Sequence, residues 1–196
     1  MVTVGVLALQ GDFDKHLETL TRLSTAAIEV RTPKDLEAAG ALIIPGGEST
    51  TLRKMMKSCG LWNVLLDRRT DDFPVFGTCA GLILLGERIS DGKPDEDALQ
   101  YLNVTTRRNA YGRQKNSFIA PLSIQLNGRR ESLDAVFIRA AKIESVSSPV
   151  QVLAELGGSP VLVRQGNALG AAFHPELTDS TAIHTLFLKL ARERWS

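Results

Sequence analysis

The first half of the chain alternates between short apolar runs and segments whose apolar residues recur at helical spacing. The apolar runs are bounded by glycine, proline or polar residues, as expected for strands buried on both faces of a parallel sheet. Predicted strands cover Val2–Leu9, Ile28–Arg31, Ala41–Ile44 and Pro74–Gly77. Predicted helices cover Phe13–Leu23, Thr50–Met56, Leu61–Leu66 and a segment through Leu82–Leu85. This order of elements is typical of a parallel sheet with helices on both faces.

The second half follows a different pattern, in which short strand-like segments succeed one another with turn residues between them. They cover Val104–Thr106, Phe118–Ile124, Val136–Ile138, Val150–Leu156, Val161–Arg164 and Leu169–Phe173. Gln165–Asn167 has the composition of a hairpin turn, so some of these strands are expected to be antiparallel. A last amphipathic helix is predicted over Thr181–Arg194. We therefore expect one domain over residues 1–196, with a three-layer α/β fold and a mostly parallel central sheet.

Composition and charge narrow the function classes only modestly. A chain of 196 residues can bury a sizeable core, and its net charge of +1 gives no electrostatic case for nucleic acid. No apolar run is long enough to span a bilayer, and the apolar start lacks the basic residues of a signal peptide. The chain has only 2 cysteines, which does not indicate a disulfide framework. These features together predict a cytoplasmic protein.

Cys79 lies between small residues at the junction of a predicted strand and a predicted helix. A nucleophile is presented in this way on a tight strand-to-helix turn, where small neighbours let a substrate carbonyl approach. The start of the helix offers backbone N–H groups and a positive dipole end, which favour a thiolate and an oxyanion. Cys59, at a predicted helix end without such neighbours, is interpreted as a small core residue.

His174 and Glu176 follow an apolar segment near the end of the chain, with Pro175 between them. Proline disfavours helical geometry at the preceding residue, and in an extended segment the two side chains point the same way. Glu176 is then placed to orient the imidazole of His174, as an acid does in a nucleophile–base–acid set. The alternative for Glu176 is a carboxylate in the first turn of a helix. His184, inside the last predicted helix, is interpreted as structural or solvated.

Pro45–Thr50 follows another predicted strand and contains the glycine pair Gly46 and Gly47. Glycines at a strand end let a backbone N–H turn toward a ligand, as an oxyanion hole requires. The alternative is an ordinary turn in which Ser49 or Thr50 caps the next helix. Parallel strands end at one edge of a sheet, so this loop is expected to lie near Cys79. Neither a metal-ligand spacing nor the lysine of a phosphate-binding loop accompanies these motifs.

These motifs resemble those of class I, triad-type glutamine amidotransferases, which have a flavodoxin-like fold. Within that class, the chain is similar to the glutaminase subunits of pyridoxal 5′-phosphate synthases. The matching segments are Gly5–Gly11, Pro45–Thr50, Gly77–Leu82, Arg108–Gln114, Phe137–Ala140 and Phe173–Thr178. The cysteine turn alone indicates an amidotransferase, whereas Pro45–Thr50, Arg108–Gln114 and Phe137–Ala140 indicate the subfamily.

The resemblance implies a role for each matching residue. Cys79 would be the nucleophile, His174 the base and Glu176 its orienting carboxylate. The backbone N–H groups of Gly47 and Ala80 would form the oxyanion hole. The residues implied in glutamine binding are Gly47, Glu48, Ser49, Arg108, Ile138 and Arg139. The chain departs from the expected pattern at Ala141, where the family pattern has proline, and this loosens the expected placement of Arg139.

The resemblance also implies a reaction and a partner. Glutamine would be hydrolysed to glutamate and ammonia through a thioester on Cys79, without metal or cofactor, and the ammonia would pass to a separate synthase subunit. Gln10 and His16 are candidates for the surface that meets this synthase, although His16 is also interpreted as structural. Two alternatives stay open here. The chain could serve a different synthase, such as the imidazole glycerol phosphate enzyme, or be a non-catalytic binding module of the same fold.

Overall fold

The structure is a computed structural model that describes residues 2–93, 96–108, 117–126 and 129–195. Most of the predicted segment Arg108–Gln114 therefore lies outside the described residues. The helices are α1 Phe13–Arg22, α2 Pro33–Glu37, α3 Ser49–Ser58, α4 Leu61–Arg68, α5 Ala80–Leu85 and α6 Ala182–Arg194, with a 3₁₀ helix at Pro175–Leu177. The strands are β1 Val4–Leu7, β2 Ala27–Val30, β3 Ala41–Ile44, β4 Val75–Thr78, β5 Arg88–Ile89, β6 Val104–Arg107, β7 Phe118–Leu126, β8 Arg129–Phe137, β9 Lys142–Val146, β10 Gln151–Leu156, β11 Ser159–Gln165 and β12 Ala168–Ala171.

The central sheet of the described chain has the strand order β10-β11-β12-β4-β3-β1-β2. The pairs from β12 through β4, β3 and β1 to β2 are parallel. The hairpin strands β10 and β11 extend the sheet antiparallel to β12. The mostly parallel sheet and the hairpin at Gln165–Asn167 are thus confirmed. The parallel strands β1, β3 and β4 are buried along their whole length, because helices cover both faces.

Helices lie on both faces of this sheet, which confirms the three-layer α/β class. Crossovers between parallel strands are right-handed, so α1 lies on one face and α3 and α4 lie on the other. Helix α6 lies on the face of α1, since His184 contacts His16 there. On the same face, Phe187 packs against Phe76 of β4, with ring centroids 5.6 Å apart. Of the helices in the described ranges, none is long and apolar enough to cross a membrane.

Two smaller sheets lie outside the central one. Strands β5, β6 and β9 form the first, and β7 and β8 form a long antiparallel hairpin. The end of β8 is bound to the segment after β12, because the His174 backbone N–H donates to the Val136 carbonyl at 2.8 Å. This contact brings the residues that follow β8 to the edge of the central sheet.

The predicted elements are confirmed except at their ends, at three short segments and at β8, which shares only Val136 and Phe137 with the predicted strand Val136–Ile138. The first strand is shorter than Val2–Leu9, and α2, β5 and β9 were not predicted. Helix α2 has only five residues and depends on a capping box at Thr32 rather than on apolar spacing. Strand β9 is rich in polar residues and lies mostly exposed, so its sequence carries little strand signal.

Candidate active site

Cys79 occupies a strained turn between β4 and α5. Its backbone has φ 49° and ψ −100°, a left-handed conformation that non-glycine residues rarely adopt. The turn packs tightly on the sheet, since a Cβ on Gly81 would lie 2.0 Å from the Ile44 carbonyl oxygen. The Cys79 backbone N–H donates to the Ala171 carbonyl at 2.8 Å, which fixes the turn to the end of β12. The sequence therefore folds into the sharp strand-to-helix turn that was predicted.

His174 and Glu176 reach the same edge from β12. His174 Nδ1 and Glu176 Oε1 are 2.7 Å apart, and both side chains are buried. The route by which they meet differs from the prediction. His174 is not helical, but Pro175 begins a 3₁₀ helix, so the segment is not extended through Glu176. The tight helical turn, rather than the alternation of a strand, brings the carboxylate back onto the imidazole.

The electrostatics of His174 favour its protonated form. Burial alone lowers its pKa, but interactions with Cys79 and Glu176 outweigh burial and raise the pKa to about 10. Burial also raises the pKa of Glu176, but His16 and His174 outweigh that effect and hold it below its usual value. At neutral pH the pair is therefore an imidazolium held by a carboxylate, which is suited to donate a proton to a leaving group.

The glycine pair after β3 adjoins the imidazole. A Cβ on Gly46 would lie 2.5 Å from His174 Cε1, so only glycine allows the ring to approach this closely. Gly47 has φ 154° and is exposed at the same place. Gly47 and Ala80, the predicted oxyanion donors, both line the cavity above Cys79. The loop and the cysteine turn therefore lie at one edge of the sheet, as the parallel strand order requires.

The cavity at this edge has a volume of about 880 Å³, which is ample for one amino acid. It is lined by the segments that follow β1, β3, β4, β6, β8 and β12, and by the starts of α3 and α5. Its lining residues are Gln10, Gly11, Asp12, Gly46, Gly47, Glu48, Ser49, Cys79, Ala80, Ile83, Arg108, Ile138, Arg139 and His174. Of the predicted site residues, only Glu176 and His16 are absent from this lining, because both lie behind it.

Glu48 caps helix α3 from the cavity side. Its carboxylate accepts hydrogen bonds from the backbone N–H groups of Thr50 and Thr51, at 3.1 and 2.8 Å. Burial raises its pKa, but these bonds and that from the Thr51 hydroxyl outweigh burial and lower it. The N-cap is thus Glu48 rather than the predicted Ser49 or Thr50. A carboxylate held in this way keeps its charge at the entrance of the cavity.

Arg108 is engaged by groups of the protein itself. Its guanidinium donates to both carboxylate oxygens of Glu96, at 2.9 and 3.0 Å. It also donates to the Thr50 hydroxyl and to the Asp91 carbonyl, at 2.9 and 3.0 Å. A substrate carboxylate at Arg108 must therefore share these donors with Glu96.

Ile138 and Arg139 follow β8 and close the opposite side of the cavity. The Ile138 carbonyl accepts a weak bond from Cys79 Sγ at 3.8 Å. Arg139 has φ 45° and an exposed side chain, and within the described ranges its guanidinium makes neither a hydrogen bond nor an ion pair. Ala141, where proline was expected, is buried at 1% exposure. Packing rather than a rigid ring therefore anchors this segment.

The predicted partner-contact residues occupy different environments. Gln10 is partly exposed at the cavity, next to Gly47. His16 has no exposed surface and lies beneath the site against His184. Its place on the docking surface was a wrong prediction, because α1 turns His16 inward toward the sheet. The structural interpretation of His184 is confirmed, since it too is fully buried.

Sequence reasoning missed two residues of the lining, Asp12 and Ile83. Ile83 lies one helical turn after Cys79, so the i, i+4 spacing on α5 was an available signal. Asp12 directly follows the Gln10–Gly11 segment at the end of β1 and shares its position at the sheet edge. Neither residue type indicates a specific chemistry on its own.

A strained cysteine turn beside a histidine–glutamate pair, on an α/β sheet of this strand order, defines the class of triad-type amidotransferases. The model of the SNO glutamine amidotransferase family matches residues 6–193, so the chain belongs to that family.

Relatives and solved structures agree with this family. The chain is 44% identical over 196 residues to a Nocardioides protein named "Pyridoxal 5'-phosphate synthase subunit PdxT", covering 97% of this chain and 96% of the relative. It is 46% identical to the Roseiflexus castenholzii protein of the same name, covering 96% and 100%. A crystal structure of a glutamine amidotransferase superposes with a TM-score of 0.90 at 46% identity, covering 96% of this chain and 98% of that one. A putative GMP synthase component from Thermoplasma acidophilum, with a TM-score of 0.70 at 14% identity, shares the fold and covers 98% of this chain and 95% of its own.

Proposed function

We propose that this chain hydrolyses glutamine to glutamate and ammonia through a covalent intermediate on Cys79. One glutaminase domain over residues 1–196 would carry the whole reaction. The observation that carries the proposal is the buried His174–Glu176 pair, 2.7 Å apart, beside a cysteine on a strained turn. Membership in a glutamine amidotransferase family supplies the substrate.

In the first stage the Cys79 thiolate attacks the side-chain amide carbon of glutamine. The tetrahedral oxyanion is held by the backbone N–H groups of Gly47 and Ala80. Protonated His174 donates its proton to the amide nitrogen as the C–N bond breaks, so ammonia departs and a γ-glutamyl thioester remains. The imidazolium that the structure favours at neutral pH is the form this step requires.

In the second stage water hydrolyses the thioester. His174, now neutral, takes a proton from the attacking water, and Glu176 stabilises the imidazolium that forms. The C–S bond then breaks, which releases glutamate and restores the thiolate. Over the two stages one glutamine and one water yield one glutamate and one ammonia.

The α-amino and α-carboxylate groups of glutamine need partners of opposite charge. Glu48 presents a carboxylate for the ammonium group, and Gly47, Ser49 and Ile138 would contribute polar and backbone contacts. Arg139 is the stronger candidate for the substrate carboxylate, because Glu96 already occupies much of the Arg108 guanidinium. Arg108 would then bind glutamine at one edge while it holds the start of α3 through Thr50.

The ammonia would pass to a synthase subunit that builds pyridoxal 5′-phosphate, in a hetero-oligomer of the two chains. The curated relatives that carry this complex's name match almost the entire chain. A glutaminase for a different synthase and a non-catalytic module are both disfavoured, because neither agrees with these relatives. Gln10, at the rim of the cavity, is our candidate contact with the synthase.

The test is glutamate release from glutamine, measured with purified chain alone and in the presence of the synthase subunit. We expect low release from the isolated chain and a large increase when the synthase is present. Absence of glutamate release under both conditions would refute the proposed hydrolysis. An equal increase with an imidazole glycerol phosphate synthase would instead refute the assignment of the partner.

A further inference from the structure

A buried polar cluster lies directly behind the proposed active site, and of its members only Glu176 takes part in the mechanism above. We call it the histidine cluster, and it comprises His16 of α1, Thr78 of β4, Glu176 and His184 of α6. All four residues are buried, with 0% exposure for His16, Thr78 and His184 and 3% for Glu176. Burying a polar group lowers the stability of the fold unless the group has a hydrogen-bond or charged partner, so the partners of these four side chains determine what the cluster costs.

The histidine cluster adjoins the His174–Glu176 pair, because Glu176 belongs to both. Glu176 uses Oε1 to hold His174, whereas its buried Oε2 has no hydrogen bond among the described residues. His16 Nε2 lies 3.6 Å from that oxygen and 3.4 Å from the Thr78 hydroxyl. On the other side of the ring, His16 Nδ1 is 2.9 Å from His184 Nε2.

The hydrogen bond between the two histidines permits two arrangements of protons. If His16 donates from Nδ1, its Nε2 carries a lone pair toward the carboxylate, and the buried Nδ1 of His184 is left as a donor without a partner. If His184 donates from Nε2, His16 Nε2 carries the proton and faces Glu176, and His184 Nδ1 is only an acceptor. The second arrangement is favoured, because it turns an N–H instead of a lone pair toward the Glu176 carboxylate and so avoids repulsion between two acceptors.

Both rings of this pair are neutral at physiological pH. Burial lowers the pKa of His16, and burial lowers the pKa of His184 to about 3. The charged and titratable groups that face the rings are Glu176, His174, Asp12 and Arg22. Glu176 and Asp12 favour a proton on His16, but burial is the larger effect, so His16 acts through an N–H dipole rather than a charge.

We propose that His16 is a positioning residue of the glutaminase site, whose Nε2–H faces the second carboxylate oxygen of Glu176 at 3.6 Å and stabilises its negative charge electrostatically. His184 fixes the tautomer of His16 that presents this N–H. The inference rests on the proposed function, because Glu176 matters only if it orients His174. With His16 included, a chain of neighbouring polar side chains runs from Cys79 through His174 and Glu176 to His184 on α6.

The first experiment reads the tautomers in the unaltered protein. ¹⁵N NMR of histidine-labelled chain distinguishes protonated from unprotonated ring nitrogens. We expect Nε2–H on both His16 and His184, with both Nδ1 atoms unprotonated from about pH 6 to about pH 8, the range in which an ordinary histidine titrates. A proton on His16 Nδ1 alone would overturn the proposal, and so would a doubly protonated His16. This result does not depend on glutamine hydrolysis, so it separates a failure here from a failure of the proposed function.

The second experiment measures glutamine hydrolysis with the synthase subunit present. His16→Leu removes the N–H that faces Glu176, and we expect kcat to fall about tenfold with KM for glutamine unchanged, because the carboxylate that orients His174 loses an electrostatic partner. The acid limb of the kcat profile should move to higher pH by about one unit, because Glu176 loses a group that favours its charged form. His16→Gln, whose amide N–H can reach the same place, should recover part of both effects.

His184→Leu should cause a smaller change in the same direction, since it releases the tautomer without removing His16. Thr19→Val is the matched control, because Thr19 is equally buried on α1 but bonds to a helix carbonyl instead of the cluster. Its kcat and acid limb should equal those of the wild type even if its melting temperature falls. A His16→Leu protein with the wild-type acid limb would overturn the proposal, whatever its stability.

Discussion

The reactivity of the proposed site depends on side chains whose neighbours alter their ordinary chemistry. An isolated histidine would be mostly neutral at about pH 7, whereas contacts with Cys79 and Glu176 raise the pKa of His174 to about 10 despite its burial. A base with so high a pKa enters the cycle as an acid, and becomes a base only after the thiolate has been consumed. The order of the two proposed stages follows from this charge state.

The pH dependence of glutamate release should reflect this pKa. Activity of the wild type should persist well above neutral pH and fall as pH rises through about 10, where His174 loses the proton that ammonia needs. Glu176→Gln removes a group that raises the pKa of His174, so the alkaline limb should move to lower pH. His174→Ala should be more damaging than Glu176→Gln at every pH, because both stages need the imidazole. An unmoved alkaline limb in Glu176→Gln would contradict the orienting role.

Cys79→Ala should abolish glutamine hydrolysis without unfolding the chain, because the substitution removes the nucleophile and only a small volume. Cys59→Ala is the matched control, since Cys59 is partly buried at the end of α3 and outside the cavity. We expect Cys59→Ala to retain most activity. A thiol-reactive glutamine analogue should still label Cys79 fully in this variant. Normal turnover by Cys79→Ala, measured as glutamate release, would contradict the covalent mechanism.

Arg139→Ala should weaken glutamine binding with little change in kcat. Loss of one hydrogen bond to a charged group costs about 1.5–3 kcal/mol, which corresponds to a rise in KM of roughly tenfold to a hundredfold. Arg107→Ala is the control, because Arg107 is exposed and faces Glu144 rather than the cavity. Glutamine titrations would decide, and an unchanged KM in Arg139→Ala would assign this arginine to the solvated surface.

At the scale of elements, the loop after β3 approaches the segment after β12 so closely that only glycine fits at Gly46. Gly46→Ala would place a methyl group 2.5 Å from His174 Cε1, so the ring must move away. We expect a loss of kcat of about a hundredfold, comparable to misplacing a catalytic group by about 1 Å, with a melting temperature near that of the wild type. Gly158→Ala meets no atom within 4 Å, and although its φ of 76° strains the turn and lowers the melting temperature, it should keep full activity. An active Gly46→Ala would show that the ring has room.

The elements that could be predicted from the sequence are those whose own residues form an apolar run or have apolar residues at helical spacing. The buried strands β1, β3 and β4 are almost wholly apolar, and α1 and α6 have apolar residues at helical spacing. Short or polar elements such as α2 and β9 owe their structure to a cap or to a neighbouring strand, so pattern alone does not reveal them.

The same distinction applies to the candidate site. Cys79 and the glycine pair were evident from local sequence, because turn chemistry is local. The inward direction of His16 and the sharing of Arg108 with Glu96 depend on tertiary packing, so spacing along the chain does not encode them. The 3₁₀ turn at Pro175 is an intermediate case: proline excluded a helix at His174 but did not determine the conformation that follows.

At the scale of the whole molecule, the proposed site lies open at the carboxyl edge of the sheet, where a partner could cover it. Gly47 and Gln10 are neighbours at this rim, since a Cβ on Gly47 would lie 3.6 Å from Gln10 Oε1. Gln10 Oε1 is buried and has no hydrogen bond within the part of the chain that is described. A docked synthase that engages Gln10 could thus alter the peptide next to the proposed oxyanion donor.

Gln10→Ala should therefore reduce the increase in glutaminase activity on addition of the synthase more than it reduces thermal stability. The measurement is steady-state glutamate release at fixed glutaminase with increasing synthase. Lys189→Ala, an exposed substitution on α6 away from the rim, is the control and should titrate like the wild type. A flat titration of the wild type, already fully active alone, would contradict dependence on the partner.

The place of β12 beside β4 has a consequence for the order in which the protein is made. A ribosome synthesises the strand and turn that bear Cys79 before half of the chain has been made. The imidazole of His174 arrives only after β12, which joins the edge of β4 near the end of translation. A nascent or truncated chain thus carries the thiol without its acid. Glutamine in the cell would then be exposed to a competent hydrolase only after the last strand of the sheet is in place.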